Sequence, residues 1–514
     1  MKSIYMTLHG IIRIKSIKAA CFMALILISG GCMNNKPDIL VTVTNEAATS
    51  GYIGNGAQWD AYPEAEAWGS AISESDWQKL YKRLDFMKPN FVRCLINSPY
   101  NYYDAKTGKY DKTRNIESLK NLLSYCQKNN ITVLFGEFNP PSWSMKQDTS
   151  WIGMAVDYLN YLVVEQGFTC IKYYNLFNEP DGDWSSTNGD YEMWKGMVLQ
   201  FINKMKEYPD LNGKVTIAGP DVVVGYRNKA SLYEPWEWVK QSATDMNDII
   251  GLYDVHAYPG QYEVRSGQFA DAIKKYSGQV PSGKKIVLGE AGYKYYKAED
   301  SILMNEQNRR LVNHPFTKGS DCNMHVYDFF YGLDMPLLCM DIMNSGFSGM
   351  AVWMLDDAMH SKGDAGDTTD IKLWGMWNIL GEEVFSRPEE EEIRPWFYTW
   401  SLMCRYFPAG SDILKFSCNK KEGTRFAAAE KDGKLTVAMV NTGDEDRSVT
   451  LRLPHHIENA SIYVYSKESM LKDADGMPVP SETGINIRKN YTINLRAGSF
   501  ILITGINYNT TTTR

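Results

Sequence analysis

A repeated alternation of strand and helix patterns constrains the fold of this chain more than any other sequence feature. Short apolar runs rich in β-branched residues recur along the chain, starting near Tyr52, Asn90, Ile131, Ile171, Lys214, Ile250, Lys284 and Ser348. Most intervals between them are roughly 35–43 residues, which suits one strand, one helix and their loops. The intervening segments show helical periodicity; in residues 73–87, for example, Trp77, Leu80 and Leu84 fall on one face.

Eight such units predict an α/β fold in which parallel strands close into a (β/α)8 TIM barrel over residues 51–406. An open, doubly wound sheet is the alternative, although that fold commonly carries a glycine-rich nucleotide loop, which the sequence lacks. From about Phe407, apolar and polar residues alternate between Gly and Asp turns. This pattern is typical of a smaller antiparallel β-sandwich, which we expect over residues 407–508, followed by a tail at 509–514. Within residues 32–50, the run Ile39–Asn45 is a candidate partner strand for that sandwich.

The first 31 residues have the pattern of an export signal. Lys2, Arg13 and other basic residues precede an apolar stretch at 21–30 that is too short to span a bilayer. Two glycines then lead to Cys32, and this ending resembles a bacterial lipoprotein signal, which implies lipidation of Cys32. The sequence therefore predicts a cell-envelope protein held to a membrane by a lipid anchor, facing the periplasm or the outer-membrane surface. Plain secretion is the alternative.

Composition disfavours several functions. A formal net charge of −7 argues against a nucleic-acid partner. The nine cysteines form no CxxC pair, and the seven histidines show no HExxH-type spacing, so we expect free thiols, no metal and no cofactor. The 32 Tyr, 19 Phe and 14 Trp are numerous, and such rings either fill a core or stack on sugars.

Two glutamates, Glu179 and Glu290, each stand at the end of a predicted strand. In the eight-strand count they end strands four and seven, which face each other across the barrel mouth where barrel enzymes keep their chemistry. Cleavage of a glycosidic bond requires a proton donor and a second carboxylate that acts as nucleophile or base. The pair therefore predicts a glycosidase, with its retaining or inverting outcome set by the distance between the carboxyl groups.

The motif Phe177–Asp181 (Phe-Asn-Glu-Pro-Asp), together with Leu288–Tyr293 at a later strand end, resembles the clan-A glycoside hydrolase superfamily. The resemblance covers the barrel, and the trailing sandwich occurs in several of its families. It implies retaining hydrolysis of β-glycosidic bonds in poly- or oligosaccharides, with Glu179 as acid/base, Glu290 as nucleophile and Asn178 on the sugar 2-hydroxyl. Glu290 lies in a Gly-Glu-Ala-Gly context, whereas many relatives have Thr or Ser before the Glu, so no specific family is assigned.

Other candidate substrate-binding residues stand in or after further predicted strands. Arg93 in strand two is expected to hold Glu290 ionised. His256 and Tyr258, after strand six, are expected to contact the nucleophile or the substrate, as in similar enzymes. The remaining candidates are Glu137, Asn139 and Trp143 after strand three, and Trp353 after strand eight.

Each of these candidates also has a purely structural interpretation. Arg93 could be an ordinary strand-end cation, His256 a core histidine and Trp353 a side chain that fills the barrel top. Glu137, as a third carboxylate, could instead compete for the acid role. At the level of the whole chain, the alternatives are a catalytically inactive glycan-binding envelope lipoprotein and a transglycosylase with the same residues. The presence of both glutamates favours catalysis.

Overall fold

The computed structural model describes residues 38–508 except 63–71, 139, 141–144, 146–147, 315–316, 318–320, 361–370 and 420–422. The strands are β1 (Ile39–Thr49), β2 (Gly54–Gln58), β3 (Phe91–Ile96), β4 (Tyr103–Asp104), β5 (Lys109–Tyr110), β6 (Thr132–Glu137), β7 (Ile171–Asn175), β8 (Thr216–Val223), β9 (Ile250–Ala257), β10 (Ile286–Ala291), β11 (Gly349–Val352), β12 (Asp412–Cys418), β13 (Thr424–Lys431), β14 (Lys434–Asn441), β15 (Arg447–Arg452), β16 (Ile457–Tyr465), β17 (Glu482–Ile487), β18 (Asn490–Leu495) and β19 (Ser499–Thr504).

The α-helices are α1 (Glu74–Met87), α2 (Ser98–Asn101), α3 (Glu117–Lys128), α4 (Trp151–Asn160), α5 (Tyr191–Met205), α6 (Pro235–Asp245), α7 (Gln261–Ser266), α8 (Gln268–Ser277), α9 (Ser301–Asn313), α10 (Tyr331–Met343), α11 (Gly381–Phe385) and α12 (Trp396–Tyr406). A π-helix (Tyr161–Glu165) extends α4, and short 3-10 turns cover Ala298–Asp300, Met324–Tyr327, Asp357–His360 and Pro388–Glu391. Within the described residues, none of the helices combines the length and apolar character needed to span a membrane.

Eight parallel strands close into a barrel in the order β2-β3-β6-β7-β8-β9-β10-β11, which confirms the predicted TIM barrel. The predicted helical faces pack outside it; α1 begins with a capping box between Ser73 and Asp76 and buries Trp77, Leu80 and Leu84. Apolar side chains fill the barrel interior towards the strand starts: Ile53, Phe91, Leu134, Ala218, Leu252, Val287 and Ala351. Polar residues further along the same strands are therefore left to line the mouth.

Both ends of the described chain build a second, mostly antiparallel sheet, of order β17-β16-β19-β14-β13-β12-β1-β15-β18. The strand β1 pairs antiparallel with β12 and parallel with β15. This parallel pair differs from the purely antiparallel pattern expected from the sequence, because alternation specifies which face of a strand is buried and not its direction. Ile39, Val41 and Val43 of β1 are buried in the apolar core of this sheet.

Two long segments follow β10 and β11. The second is fastened by two buried aspartates: Asp356 accepts a hydrogen bond from Trp377 Nε1 at 3.0 Å, and Asp357 pairs with Arg394 at 2.6 Å. Asp357 also accepts the backbone N–H of Trp374 at 2.8 Å. The ring of Trp374 then packs edge-on against Tyr258 at a centroid distance of 5.5 Å, which connects this segment to the site described next.

Candidate active site

The structure brings the two predicted glutamates together at the carboxyl ends of the barrel strands. Glu179 follows β7 and Glu290 lies in β10, and they are 8% and 6% exposed, respectively. One oxygen of each carboxylate and a ring nitrogen of His256 all lie within 4.8 Å of one another. The barrel therefore presents two nearly buried carboxylates on either side of a narrow gap.

Glu290 is held by two donors. Arg93 Nη1 lies 2.8 Å from Glu290 Oε2, and the Tyr258 hydroxyl donates a short hydrogen bond to Oε1. Burial disfavours the charge of Arg93, but Asp221 and Glu290 outweigh it and raise the pKa of Arg93. Burial and the adjacent Glu290 charge raise the pKa of Tyr258, which keeps its hydroxyl a donor. Glu290 thus accepts hydrogen bonds from one cationic and one hydroxyl donor.

Glu179 has different partners. Its Oε1 lies 2.9 Å from His256 Nδ1, and its Oε2 accepts a hydrogen bond from Trp184 Nε1 at 2.8 Å. The backbone of Glu179 is left-handed, with φ of 49°, a conformation that costs energy for a residue with a Cβ. The backbone N–H of Glu179 donates to Asp221 Oδ2 at 3.1 Å, a contact that helps to hold this conformation.

Asn178 lies beside the pair, as the motif suggested. Its Oδ1 accepts a hydrogen bond from Arg93 Nη2 at 2.7 Å. Arg93 therefore bridges Asn178 and Glu290, and also donates to Gln58 Oε1 at 2.9 Å. One guanidinium fixes a carboxylate and two amides at the same mouth, which its planar fork of donors permits.

A buried polar layer lies beneath the pair. His256 Nε2 forms an ion pair with Asp221 Oδ1 at 2.9 Å, and Asn175 Nδ2 donates to Asp221 Oδ2 at 2.8 Å. Burial opposes a charge on His256, but Asp221, with help from Glu290, raises its pKa well above the usual value. Burial opposes the Asp221 charge too, yet His256 and Arg93 lower its pKa strongly. The layer therefore carries opposite charges in contact, which offsets the cost of burying them.

Trp184 forms an exposed wall next to Glu179. Its side chain is 46% exposed, and its ring packs against Tyr226 at a centroid distance of 4.8 Å. Gly182 makes room for the indole, since a Cβ there would lie 2.3 Å from Trp184 Cε2. An accessible aromatic ring is thus held against one of the two carboxylates.

Trp353, at the end of β11, lies at the other side of the mouth. It packs against the His360 ring at a centroid distance of 5.2 Å, and His360 Nε2 lies 3.1 Å from Asp60 Oδ2. Trp353 is almost completely buried.

Glu137 is not brought to the pair. It is buried and accepts hydrogen bonds from Ser98 Oγ, from Tyr102 at 2.8 Å and from Tyr174 at 2.8 Å. Leu134 faces the barrel interior, so strand alternation directs Glu137 away from the axis. Three further predicted positions, Asn139, Trp143 and Cys32, lie outside the described residues.

Among the residues that the structure describes, two groups of side chains have the composition of a metal site: Glu179 with His256 and Glu290, and Asp221 with Asp254 and His256. Both share His256, whose two ring nitrogens already contact carboxylates. Arg93 supplies a further positive charge among them. A cation would have to displace these pairs, so the arrangement fits carboxylate chemistry better than metal binding.

Sequence reasoning missed Asp221, Asp254 and Trp184. The two aspartates lie inside apolar strand runs, and a charged residue at such a place must be paired if it is buried, which is a usable signal. Asp254 and His256 are also two positions apart, so they share one face of β9. No comparable signal marks Trp184, because its place depends on the turn that follows Glu179.

Comparison with known proteins finds similarity of fold but not of sequence. No protein-family model matches the chain. A search of curated proteins finds no match either. Solved structures do match over most of its length.

Three of these structures illustrate the range. A GH30 endoxylanase from Clostridium papyrosolvens C71 has 16% identity and a TM-score of 0.58, covering 91% of this chain and 100% of that one. A family 51 α-L-arabinofuranosidase from Bifidobacterium longum has 12% identity and a TM-score of 0.58, with coverage of 91% and 100%. A conserved exported protein from Bacteroides fragilis has 13% identity and a TM-score of 0.63, with coverage of 90% and 100%. The chain thus has the barrel-plus-sheet architecture found in clan-A glycoside hydrolases.

Proposed function

We propose that this protein is a retaining glycoside hydrolase that cleaves β-glycosidic bonds of poly- or oligosaccharides. The observation that carries the proposal is the close approach of Glu179 and Glu290, whose facing atoms lie within 4.8 Å together with His256. Retaining enzymes hold their carboxyl groups about 5–5.5 Å apart, whereas inverting enzymes need about 6.5–9.5 Å to admit a water. A nearest approach of two carboxylate oxygens within 4.8 Å is closer to the retaining arrangement, and so supports a double displacement.

The different surroundings of the glutamates support a division of roles. Glu290, with Arg93 and Tyr258 as donors, is suited to remain ionised and attack the anomeric carbon. Glu179, beside the exposed Trp184, is suited to give its proton to the leaving oxygen as the glycosidic bond breaks. In the second step Glu179 takes a proton from water, the water oxygen bonds to the anomeric carbon, and the Glu290 ester bond breaks.

The first experiment is a hydrolysis screen of the purified protein. The screen starts with xylan and α-L-arabinofuranosides, because two of the similar structures are named as an endoxylanase and an α-L-arabinofuranosidase, and then extends to a range of β-glycans. Glu290→Ala and Glu179→Gln are each expected to lower turnover by on the order of 10³-fold. Glu137→Gln is the matched control, a buried glutamate away from the pair, and should retain turnover.

Other outcomes of this screen separate the alternatives. Products longer than the substrate, formed in the presence of acceptor sugars, would identify a transglycosylase. Binding without release from any glycan would contradict hydrolysis and favour the glycan-binding protein. Loss of turnover in Glu137→Gln but not in Glu179→Gln would reassign the acid.

We also propose that the protein is exported and anchored by a lipid on Cys32. The basic start and the short apolar stretch before Gly30, Gly31 and Cys32 support this. In a bacterial host fed a labelled fatty acid, the protein should incorporate the label and Cys32→Ala should not. An equal label in both proteins, or in neither, would contradict lipidation at Cys32.

A further inference from the structure

We propose that Asp221 is a positioning residue that joins the Arg93–Glu290 pair and the His256–Glu179 pair in one buried network. This inference rests on the proposed function, since it assigns Asp221 a part in setting the protonation of Glu179. Asp221 lies near the end of β8, in a segment that carried no candidate residue from the sequence.

The contacts of Asp221 reach both halves of the site. Oδ2 accepts a hydrogen bond from Arg93 Nη2 at 3.1 Å and one from the Glu179 backbone N–H at 3.1 Å. Oδ2 also accepts from Asn175 Nδ2 at 2.8 Å, while Oδ1 lies 2.9 Å from His256 Nε2. The residue is completely buried, and its backbone is left-handed with φ of 62°. A buried aspartate that keeps a strained backbone and has this many partners is held in one position by the surrounding structure.

The second ring nitrogen of His256 makes the connection to catalysis. Its Nδ1 lies 2.9 Å from Glu179 Oε1 and 4.0 Å from Glu290 Oε2. With Asp221 opposite Nε2, both ring nitrogens face carboxylate oxygens, and both can donate only if the ring is an imidazolium. Asp221 thereby places a positive charge directly against Glu179.

The buried charges then balance around the acid. Arg93 and His256 carry positive charge, and Asp221 and Glu290 carry negative charge. Because these four compensate one another, Glu179 can hold a proton without leaving an unpaired charge in the cluster. Once Glu179 has released that proton, the His256 imidazolium stabilises the carboxylate that must next act as a base.

Asp254 provides a neutral neighbour to this network. Its carboxylate clusters with Asp221 and His256, and Gly289 leaves the space it fills, since a Cβ there would lie 2.2 Å from Asp254 Oδ1. Burial, and then the Asp221 charge, raise the pKa of Asp254 well above its usual value, so it stays protonated. The titratable or charged groups around His256 are Asp221 of β8, Glu179 and Asp181 after β7, Glu290 of β10, Arg93 of β3 and Asp254 of its own strand.

The test is the pH profile of kcat/KM for Asp221→Asn. The substitution keeps the shape of the side chain but removes the charge opposite His256 Nε2. Without that charge the imidazolium form of His256 is less favoured, so the positive charge beside Glu179 Oε1 is weakened. The basic limb of the profile is expected to move to higher pH by about one unit, since an opposite charge within about 4–6 Å shifts a carboxyl group by 1–3 units.

Asp254→Asn is the matched control at the same depth. Because this replacement leaves Asp221 in place 2.9 Å from His256 Nε2, it should leave the basic limb where it is. If the role of Asp221 is purely structural, Asp221→Asn will lower kcat/KM by the same factor at every pH, or Asp221→Asn and Asp254→Asn will shift the basic limb by the same amount. Either result would overturn the inference.

A second measurement uses the unaltered full chain. In ¹⁵N-histidine NMR, with the His256 signals identified by their loss in His256→Gln, both ring nitrogens should stay protonated from pH 5 to 8. Titration of His256 near the ordinary pKa of about 6.5 would overturn the inference. This readout needs no substrate. A protonated His256 in a protein that hydrolyses nothing would therefore contradict the proposed function alone, and a titrating His256 in an active enzyme would contradict the network alone.

Discussion

Single side chains in the barrel mouth give two chemically identical glutamates different surroundings. Arg93 and Tyr258 donate hydrogen bonds to Glu290, whereas His256 and Trp184 contact the carboxylate of Glu179. The resemblance to clan-A enzymes, together with the convergence of strand ends in a parallel barrel, made Arg93 and His256 candidates. It could not predict which nitrogen faces which oxygen, since that depends on backbone angles such as the left-handed φ of Glu179.

Trp184 provides a test at this scale. Its exposed ring lies beside the proposed acid, and we expect it to contact a sugar on the leaving-group side. Trp184→Ala is expected to raise KM for oligosaccharides roughly tenfold, about 1.4 kcal/mol of binding. Aryl glycosides, which lack a leaving-group sugar, should be less affected. Steady-state kinetics on the two substrate types measures the difference.

Two companion variants separate the ring from its N–H. Trp184→Phe keeps a flat ring without the hydrogen bond to Glu179 and should bind oligosaccharides better than Trp184→Ala. Gly182→Ala, whose Cβ would collide with the indole, should resemble Trp184→Ala. Equal effects on both substrate types would argue against a leaving-group subsite.

At the scale of elements, the strand runs were predictable to within a few residues, but the direction of a side chain at a strand end was not always recognised. Glu137 ends β6 and so was expected at the mouth, yet it faces the helical layer. There it connects Tyr102, in the segment between β3 and β6, with Tyr174 of β7. Counting positions from the inward Leu134 would have given the correct face.

Glu137 makes stability depend on pH. Burial raises its pKa from 4.5 to about 7, even though the hydroxyls of Ser98, Tyr102 and Tyr174 favour its charge. A raised carboxyl pKa means that the folded state binds the proton more tightly than the unfolded state does. The protonated Glu137 therefore contributes to the free energy of unfolding below pH 4.5, and this contribution is lost as the pH rises through 7. Across this pH range the free energy of unfolding falls by about 3 kcal/mol.

Replacing Glu137 with Gln should remove this loss. As the pH rises from 5 to 8, the melting temperature of Glu137→Gln is expected to increase relative to that of the unaltered protein. Glu165→Gln, an exposed glutamate paired with Lys112, is the control and should follow the unaltered protein. Parallel melting curves for all three across this range would show that the Glu137 proton is not linked to folding.

At the scale of the whole molecule, the position of strand β1 within the second sheet is the least predictable part of the architecture. Alternating runs predicted the second sheet, and Ile39–Asn45 was a candidate member, but its place between β12 and β15 depends on pairings hundreds of residues apart. Such long-range pairing leaves no local sequence signal. The sheet therefore needs both ends of the described chain.

A chain that begins at residue 50 should fold poorly. It lacks the buried side chains of Ile39, Val41 and Val43, each worth about 1.5–3 kcal/mol, and the ladder that joins β12 to β15. A chain that begins at residue 38 is the control and should melt as the full-length protein does. Calorimetry compares them, and equal melting temperatures would show that β1 is dispensable.

The central claim, that Glu290 attacks the sugar while Glu179 supplies the proton, is tested most directly by trapping the covalent intermediate. A 2-deoxy-2-fluoro glycoside with a good leaving group, of the sugar that the screen identifies, slows the second step so that the glycosyl-enzyme accumulates. Peptide mass spectrometry is expected to find the added sugar on Glu290 in the unaltered protein, and no label in Glu290→Ala. A label on another carboxylate, or a hydrolysis product of inverted anomeric configuration, would contradict the account.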